Sequence, residues 1–198
     1  MPPQLYLIAP ATLAPRQAAE QVSAVLEAAS FAALLVQRGS LDDAGYAELA
    51  EALVRGGQAA GCAVLLENDV DLAIRLAADG VHVTAGLAAL QSAIAALKPR
   101  MIVGAGALAT RHDAMTAGEM DVDYVFFGPL DGASDPAAGE LAEWWAATFE
   151  VPAVLADPQA IPGSDARGAE FLALSTSIWA AGDPAAAARA MLAPGHPA

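Results

Sequence analysis

Polar residues follow an apolar run near the middle of the chain. Residues 64–66 (VLL) are followed by Glu67, Asn68 and Asp69, and then by apolar side chains at helical spacing. Carboxylate oxygens are the hard ligands that Mg²⁺ prefers, so Glu67 and Asp69 are candidate metal ligands. The competing interpretation is structural, with Asp69 as the N-cap of the following helix and Glu67 exposed to solvent.

Two other positions carry groups that bind anions. Arg38 follows a second apolar run, and a guanidinium there can bind a phosphate, although a surface arginine explains this residue as well. Ser175 and Thr176 follow a third run, where hydroxyls and backbone N–H groups at a helix start can hold a phosphate. Helix capping explains them equally. Asp157 counts against a phosphate there, because a carboxylate repels a dianion unless a metal lies between them.

The elements that position these residues alternate along the chain. Short apolar runs predict strands at residues 5–8, 33–36, 64–66, 81–83, 101–105, 124–127, 154–155 and 171–174. Helical segments are predicted after Asp69 and at residues 16–29, 42–60, 87–97, 111–119, 140–149 and 183–192. Residues 131–139 are predicted to form a mobile loop. The alternation predicts a single-domain (β/α)₈ TIM barrel over residues 1–198. An open doubly wound sheet is the alternative, but no dinucleotide-type glycine fingerprint follows the first strand.

A barrel of this kind gathers the carboxyl ends of its strands at one mouth, where enzymes of this fold have their active sites. Lys98 and Arg100 precede a strand and are expected at the opposite end. His82 lies within an apolar strand and is expected to point into the barrel as a hydrogen-bonded structural histidine rather than a catalytic one. The residues expected around the mouth are Glu67, Thr84, Gly106, Asp131, Asp157 and Ser175.

Composition and charge disfavour several classes of function. The 198 residues are 56% hydrophobic, which is enough for one sizeable core. The formal net charge is −14 and Lys98 is the single lysine, so nucleic acid and anionic membranes are not expected as partners. Cys62 has no second cysteine to pair with, and the first ten residues show no signal-peptide pattern. The sequence thus predicts a cytoplasmic protein with a small-molecule ligand, and it leaves a homo-oligomer open.

Four segments resemble one enzyme family in the same order along the chain. They are LYLI at residues 5–8, NDVDLAIRLAADGVHV at 68–83, VDYVFFGPL at 122–130 and LSTSI at 174–178. Together they resemble a divergent thiamine phosphate synthase or thiazole tautomerase. The resemblance implies a barrel that joins a phosphorylated thiazole to hydroxymethylpyrimidine diphosphate, using Mg²⁺ and releasing pyrophosphate. It implies a phosphate or heterocycle ligand, with Mg²⁺ at Glu67 and Asp69. The substrate contacts that it implies are Arg38, Asn68, Gly128, Ser175 and Thr176.

The chain departs from the family pattern at most strand ends. Residues 36–38 (VQR) stand where the family has an arginine, an acidic residue and a lysine. Residues 84–87 replace an acidic segment that holds metal, and residues 104–110 lack the family's serine and histidine. Residues 131–139 contain no lysine to meet the diphosphate, and residues 156–158 (ADP) replace a phosphate-binding glycine pair.

These departures predict a degenerate active site with weak or no synthase activity. Expelling pyrophosphate requires its developing negative charge to be neutralised, and the expected mouth has more carboxylates than cations. Two alternatives stay open, namely a non-catalytic barrel that binds a ligand or partner, and a related enzyme with a different substrate. No residue is assigned a catalytic role.

Overall fold

Eight short strands and eight helices make up the fold in the computed structural model, which describes residues 2–10 and 12–192. The strands are β1 (Gln4–Ile8), β2 (Ala33–Val36), β3 (Ala63–Glu67), β4 (Gly80–Val83), β5 (Ile102–Ala105), β6 (Tyr124–Phe127), β7 (Ala153–Ala156) and β8 (Phe171–Leu174). The helices are α1 (Pro15–Ala28), α2 (Asp43–Ala59), α3 (Val70–Leu76), α4 (Leu87–Leu97), α5 (Arg111–Gly118), α6 (Pro136–Ala146), α7 (Thr176–Trp179) and α8 (Pro184–Met191).

All eight strands are parallel and belong to one closed sheet. They follow one another around the barrel in chain order, and β1 pairs with β8 to close it. The predicted TIM barrel is therefore confirmed. In the described part of the chain no α-helix lies between β7 and β8, and the connection there is made of turns.

Each strand is buried on both faces, which explains why the strands read as unbroken apolar runs. On β1, Tyr6 and Ile8 face the barrel interior, where they pair in register with Ala33 and Leu35 of β2. The alternate residues, such as Leu7, belong to the layer between the barrel and its helices. The barrel is thus a packed core, and space for a ligand is found at its ends.

Helix α6 begins earlier than the sequence predicts. It starts at Pro136 rather than at residue 140, and so takes up the second half of the predicted mobile loop. Asp135 caps it by accepting a hydrogen bond from the Ala137 backbone N–H at 2.9 Å, and Pro136 supplies a helical φ angle at the first position. The loop prediction was wrong for residues 136–139 because this capping pair was read as turn chemistry.

The amino end of the barrel carries the single lysine. Lys98 lies before β5, and its Nζ donates to Asp123 Oδ1, just before β6, at 2.6 Å. Asp123 also accepts a hydrogen bond from the Val103 backbone N–H at 2.7 Å. Lys98 is therefore at the end opposite Glu67, as the strand directions required. None of the helices within residues 2–10 and 12–192 has the length and apolar character needed to cross a membrane.

Candidate active site

The carboxyl ends of β2, β3 and β4 bring several predicted site residues together. The Arg38 backbone N–H donates to Glu67 Oε2 at 2.9 Å, and the Thr84 hydroxyl donates to Glu67 Oε1 at 3.1 Å. Arg38 Nη2 donates to Asp69 Oδ2 at 3.0 Å. Arg38, Glu67 and Asp69 therefore form one connected cluster at the mouth, because parallel strands end side by side there.

Three side chains surround the Arg38 guanidinium. Its Nη1 donates to Asp43 Oδ1 at 2.5 Å, its Nη2 pairs with Asp69, and its central carbon lies 4.5 Å from the centroid of the Tyr46 ring. The pKa of Arg38 is raised above its ordinary value, chiefly by the hydrogen bond to Asp43. An arginine that already has two carboxylate partners has less positive charge to offer an incoming anion.

The carboxylates that were candidate metal ligands are engaged by protein donors. Asp69 Oδ1 caps α3 by accepting from the Leu72 backbone N–H at 3.0 Å, so its predicted role as an N-cap is confirmed. Both oxygens of Glu67 also accept hydrogen bonds. Across residues 2–10 and 12–192, no group of three or more His, Cys, Asp or Glu side chains is placed to hold a metal ion. In this arrangement the pair does not fit a dedicated Mg²⁺ site, and the metal role of Glu67 and Asp69 stays a prediction.

Asn68 fixes the turn that follows β4. Its Oδ1 accepts from the backbone N–H groups of Thr84 at 2.8 Å and Ala85 at 3.2 Å, and its Nδ2 donates to Thr84 Oγ1 at 2.6 Å. The Asn68 backbone has φ of 54°, a left-handed conformation that asparagine tolerates better than most residues. The amide group is thus engaged in holding the mouth together, and substrate contact by Asn68 stays a prediction.

Gly128 lies where β6 ends, close to the neighbouring strand β7. Its φ is 109°, and a Cβ at this position would lie 2.7 Å from the Ala156 carbonyl oxygen. Only glycine suits both the backbone conformation and the close approach. The structure gives Gly128 a packing role, and its predicted contact with substrate stays a prediction.

Ser175 and Thr176 line a separate cavity at the same mouth, with a volume of about 430 Å³. Ser175 is 1% exposed, and its hydroxyl has no hydrogen-bond partner in the described structure. Thr176 Oγ1 accepts from the Gly132 backbone N–H at 2.9 Å. The Ser177 backbone N–H donates to the Pro158 carbonyl at 2.6 Å, so this amide at the start of α7 is already used.

Asp157 connects the loops that follow β6 and β7. It accepts hydrogen bonds from the Ser134 hydroxyl and from the Gln159 backbone N–H. Gln159 Nε2 in turn donates to the Gly132 carbonyl at 2.8 Å. Asp157 therefore stabilises the loop around the mouth, which explains a carboxylate at a strand end where the family pattern has glycine.

Three aromatic rings joined by hydrogen bonds lie in the barrel interior. Tyr6 and Tyr124 hydroxyls lie 3.0 Å apart, and Tyr124 Oη lies 2.9 Å from His82 Nδ1. His82 is fully buried, and burial lowers its pKa to about 3, so the ring is neutral at pH 7. The inward orientation of His82 predicted from the sequence is confirmed, as is its hydrogen bonding.

The other nitrogen of His82 points towards the mouth and is unpaired. Nε2 has no hydrogen-bond partner among the described residues, and a Cβ placed on Gly106 would lie 2.4 Å from it. If Tyr6 donates to Tyr124 and Tyr124 donates to Nδ1, both hydroxyl protons are used and Nε2 carries the hydrogen. If these hydrogen bonds ran in the opposite direction, the Tyr6 hydroxyl proton would be buried without an acceptor. That arrangement costs more free energy. We therefore assign a neutral Nε2–H donor facing the mouth.

Sequence reasoning did not identify the two tyrosines that are hydrogen-bonded in a row with His82. Tyr6 and Tyr124 are both buried, and the sequence analysis singled out neither. The available signal was inward alternation on β1, β4 and β6, which brings Tyr6, His82 and Tyr124 into one interior. It could not reveal that their polar atoms meet.

Comparisons with known proteins agree with this architecture. A family model described as thiamine monophosphate synthase matches residues 5–178. The thiamine-phosphate synthase of Hyphomonas neptunium is 36% identical over 201 residues, which cover 94% of this chain and 91% of that protein. The thiamine-phosphate synthase of Erythrobacter litoralis is 34% identical over 202 residues, covering 96% and 94%.

Solved structures show the same fold. Thiamine phosphate pyrophosphorylase from Pyrococcus furiosus superimposes with a TM-score of 0.77 at 20% identity, covering 95% of this chain and 93% of that chain. The family model and the curated relatives extend over nearly all of the barrel, including the four segments whose resemblance the sequence suggested. The chain therefore belongs to the thiamine monophosphate synthase family.

Proposed function

We propose that this barrel binds a heterocyclic ligand of its family at the mouth and is a weak or inactive thiamine phosphate synthase. The observation that carries the proposal is the pairing of Arg38 with both Asp43 and Asp69. In the family reaction a diphosphate leaves as pyrophosphate, and preorganised positive groups supply most of the stabilisation of such a charge. Here the arginine nearest the expected diphosphate position is held by carboxylates.

The other arginines near the mouth do not compensate. Arg16 is exposed and pairs with Glu20 on the same helix at 3.6 Å. Arg111 lies over the Trp144 ring, with its central carbon 4.7 Å from the ring centroid. Glu67, Asp69, Asp131 and Asp157 contribute carboxylates at the strand ends. Loss of one preorganised group commonly costs about 10²–10³-fold in rate, so turnover is expected to be low.

Magnesium belongs to this proposal as a partner of the diphosphate. A metal with few protein ligands borrows oxygens from substrate phosphates. Glu67 and Asp69 would each have to exchange a present hydrogen-bond donor for the ion.

A related enzyme with a different substrate is the second candidate. The observation in its favour is the cavity beside Ser175, which Asp131 lines without a basic residue in the described structure. Such a lining suits a ligand without phosphate. The two candidates predict different outcomes when phosphate-bearing substrates are supplied.

Complementation and a coupling assay test the proposal. The chain is expected not to rescue a strain that lacks its own synthase on thiamine-free medium, and the purified protein with Mg²⁺ should form product at least about 10²-fold more slowly than an active family member. The Hyphomonas neptunium protein serves as the positive control. Asp43→Asn, which releases one partner of Arg38, should raise the rate, whereas Asp113→Asn on α5 provides a matched change of charge that should not.

Growth rescue that disappears in Arg38→Ala and Asp69→Asn would contradict the proposal. That result would mean that Arg38 leaves its carboxylates when the diphosphate binds, and it would restore ordinary synthase function. Circular dichroism of each variant distinguishes loss of activity from loss of fold.

A further inference from the structure

A cavity with a mainly apolar lining lies at the amino end of the barrel. Its volume is about 260 Å³, and its lining comes largely from the starts of β1, β2, β3, β5, β6 and β8. The Lys98–Asp123 pair is at this end, whereas Glu67 and Ser175 are at the mouth. This amino-end cavity is therefore separate from the candidate active site. The lining residues include Tyr6, Ala33, Ala63, Ile102, Tyr124 and Phe171.

Small residues at the starts of β2 and β3 leave this space. Ala33 and Ala63 pair in register and belong to the interior of the barrel, so this side of the layer carries only methyl groups. Ile102 and Phe171 also pack against the interior residues, yet the cavity leaves both of them only partly buried. An apolar occupant would remove more of this surface from water, which is favourable.

The charge at this cavity is already compensated. Asp123 is the one charged side chain that lines it in the part of the chain that the structure describes. Its Oδ1 accepts from Lys98 Nζ at 2.6 Å, and its Oδ2 accepts from the Val103 backbone N–H at 2.7 Å. A charged ligand would have to break this ion pair or leave its own charge unpaired beside apolar groups, and both are costly.

Water has few partners in the amino-end cavity. A buried water typically makes about three hydrogen bonds. The Ala32 and Pro152 carbonyls in the lining already accept from strand N–H groups, at 3.1 Å and 3.0 Å. The Tyr6 and Tyr124 hydroxyls bond to each other at 3.0 Å, so their rings supply mainly apolar surface. Displacement of poorly held water by an apolar group favours binding.

We propose that the amino-end cavity binds a small uncharged aromatic molecule of one or two fused rings. An apolar cavity of about 150 Å³ is large enough for benzene, and the 260 Å³ here leaves room for a second ring. Aromatic rings such as Phe171 favour edge-to-face contact with another ring. The Gln4 amide, also in the lining, can meet one polar atom such as a ring N–H. The inference does not depend on the proposed function, because it concerns the opposite end of the barrel.

Titration of the full chain with indole tests the proposal. Calorimetry should give a dissociation constant of about 1 mM or below, which is typical of a ligand this small. In protein with labelled isoleucine methyl groups, the NMR signal of Ile102 should shift, because Ile102 lines the cavity. The signals of Ile8, at the carboxyl end of β1, and of Ile74, exposed on α3, should not shift.

Charged analogues of indole test the requirement for an uncharged ligand. Indole-3-carboxylate is an anion and tryptamine is a cation, and each should bind at least about 10-fold more weakly than indole, because the cavity offers neither a free counter-charge. The titrations are done at about 0.15 M salt, which screens the general attraction of a cation to an acidic protein.

A pair of matched substitutions locates the site. Ala63→Leu adds apolar atoms inside the cavity, so it should weaken indole binding at least about 10-fold without lowering the melting temperature. Ala95→Leu makes the same change on the exposed side of α4 and should leave the affinity unchanged.

Several results would overturn the inference. They are no binding of indole, a shift of Ile8 without a shift of Ile102, binding of either charged analogue as tight as that of indole, and unchanged affinity in a folded Ala63→Leu protein. The Ile102 signal is read in the unmodified chain, so the test stands even if the Ala63 variant does not fold.

Discussion

His82 illustrates how single residues at this site are set by their surroundings. Its Nδ1 is held by Tyr124, which is held by Tyr6, and its Nε2 is left without a partner in the described structure. Buried polar groups are nearly always hydrogen-bonded, so an unpaired nitrogen in the barrel interior is an exception. The histidine is held by Tyr124 on one side, and its other nitrogen is buried against Gly106.

Burial of His82 predicts a dependence of stability on pH. Its pKa is lowered from 6.5 to about 3, so below pH 6.5 the unfolded chain takes up a proton that the folded chain does not. The free energy of unfolding therefore falls as pH decreases from 6.5 towards 3, and no stability is lost above pH 6.5. The free energy of unfolding should drop by about 2 kcal/mol from this residue between about pH 8 and about pH 5.

Urea unfolding of His82→Gln measures this contribution. The variant should show a smaller loss of stability over the same pH range, even if it is less stable at every pH. His112→Gln, on the exposed side of α5, is the control and should follow the unmodified chain. Parallel pH profiles for His82→Gln and the unmodified chain would show that His82 does not stay neutral in the folded protein.

At the scale of elements, close approach between neighbouring strands decides several positions. A Cβ on Gly80 of β4 would lie 2.1 Å from the Ile102 carbonyl oxygen, and one on Gly104 of β5 would lie 2.0 Å from the Tyr124 ring. Gly128 combines such an approach with a left-handed φ. These glycines let the barrel close around large interior side chains.

Gly128→Ala and Gly132→Ala separate the two effects. Both glycines have positive φ, at 109° and 83°, but a Cβ on Gly132 would meet nothing within 4 Å. Gly132→Ala should cost about 1 kcal/mol from backbone strain alone. Gly128→Ala should cost about 3 kcal/mol, because overpacking against Ala156 is added. Denaturant unfolding of the two variants is the measurement, and equal costs would argue against a packing role for Gly128.

The net charge of the whole molecule affects the stability of the folded state as well as the choice of partners. The formal net charge of −14 concentrates like charges on one small barrel, and self-repulsion of this kind destabilises a compact state. Ion pairs such as Lys98 with Asp123 offset it only locally. The same excess of carboxylates bears on the weak anion binding proposed for the mouth.

The melting temperature should therefore rise with moderate salt. Raising ionic strength from about 0.01 M to about 0.1 M shortens the Debye length from about 30 Å to about 10 Å and screens the repulsion. Calorimetric scans in sodium chloride measure the rise. Glu119→Lys, an exposed change that makes the net charge less negative, should show a smaller rise. A melting temperature that falls with salt would mean that ion pairs outweigh repulsion.

The sequence by itself determined a parallel sheet wrapped by helices and the end at which its polar residues gather, and it left an open sheet as the alternative to the barrel. Apolar runs separated by helical segments can bury their surface only as a parallel sheet wrapped by helices, so the alternation and the direction of each strand were readable. The N-cap role of Asp69 was readable too, because capping depends on neighbouring residues. The start of α6 was missed because Asp135 and Pro136 suit a turn as well as a cap.

Tertiary structure alone decided what each polar group faces. Arg38 is separated by 31 residues from Asp69, and Tyr6 is separated by 118 residues from Tyr124, so no local pattern could show that they pair. Whether Arg38 is available to an anion, and whether Ser175 and His82 Nε2 have partners, depends on atoms that only the closed barrel brings within hydrogen-bond distance. Periodicity decides which face a residue occupies, whereas chemistry at the mouth depends on distances across it.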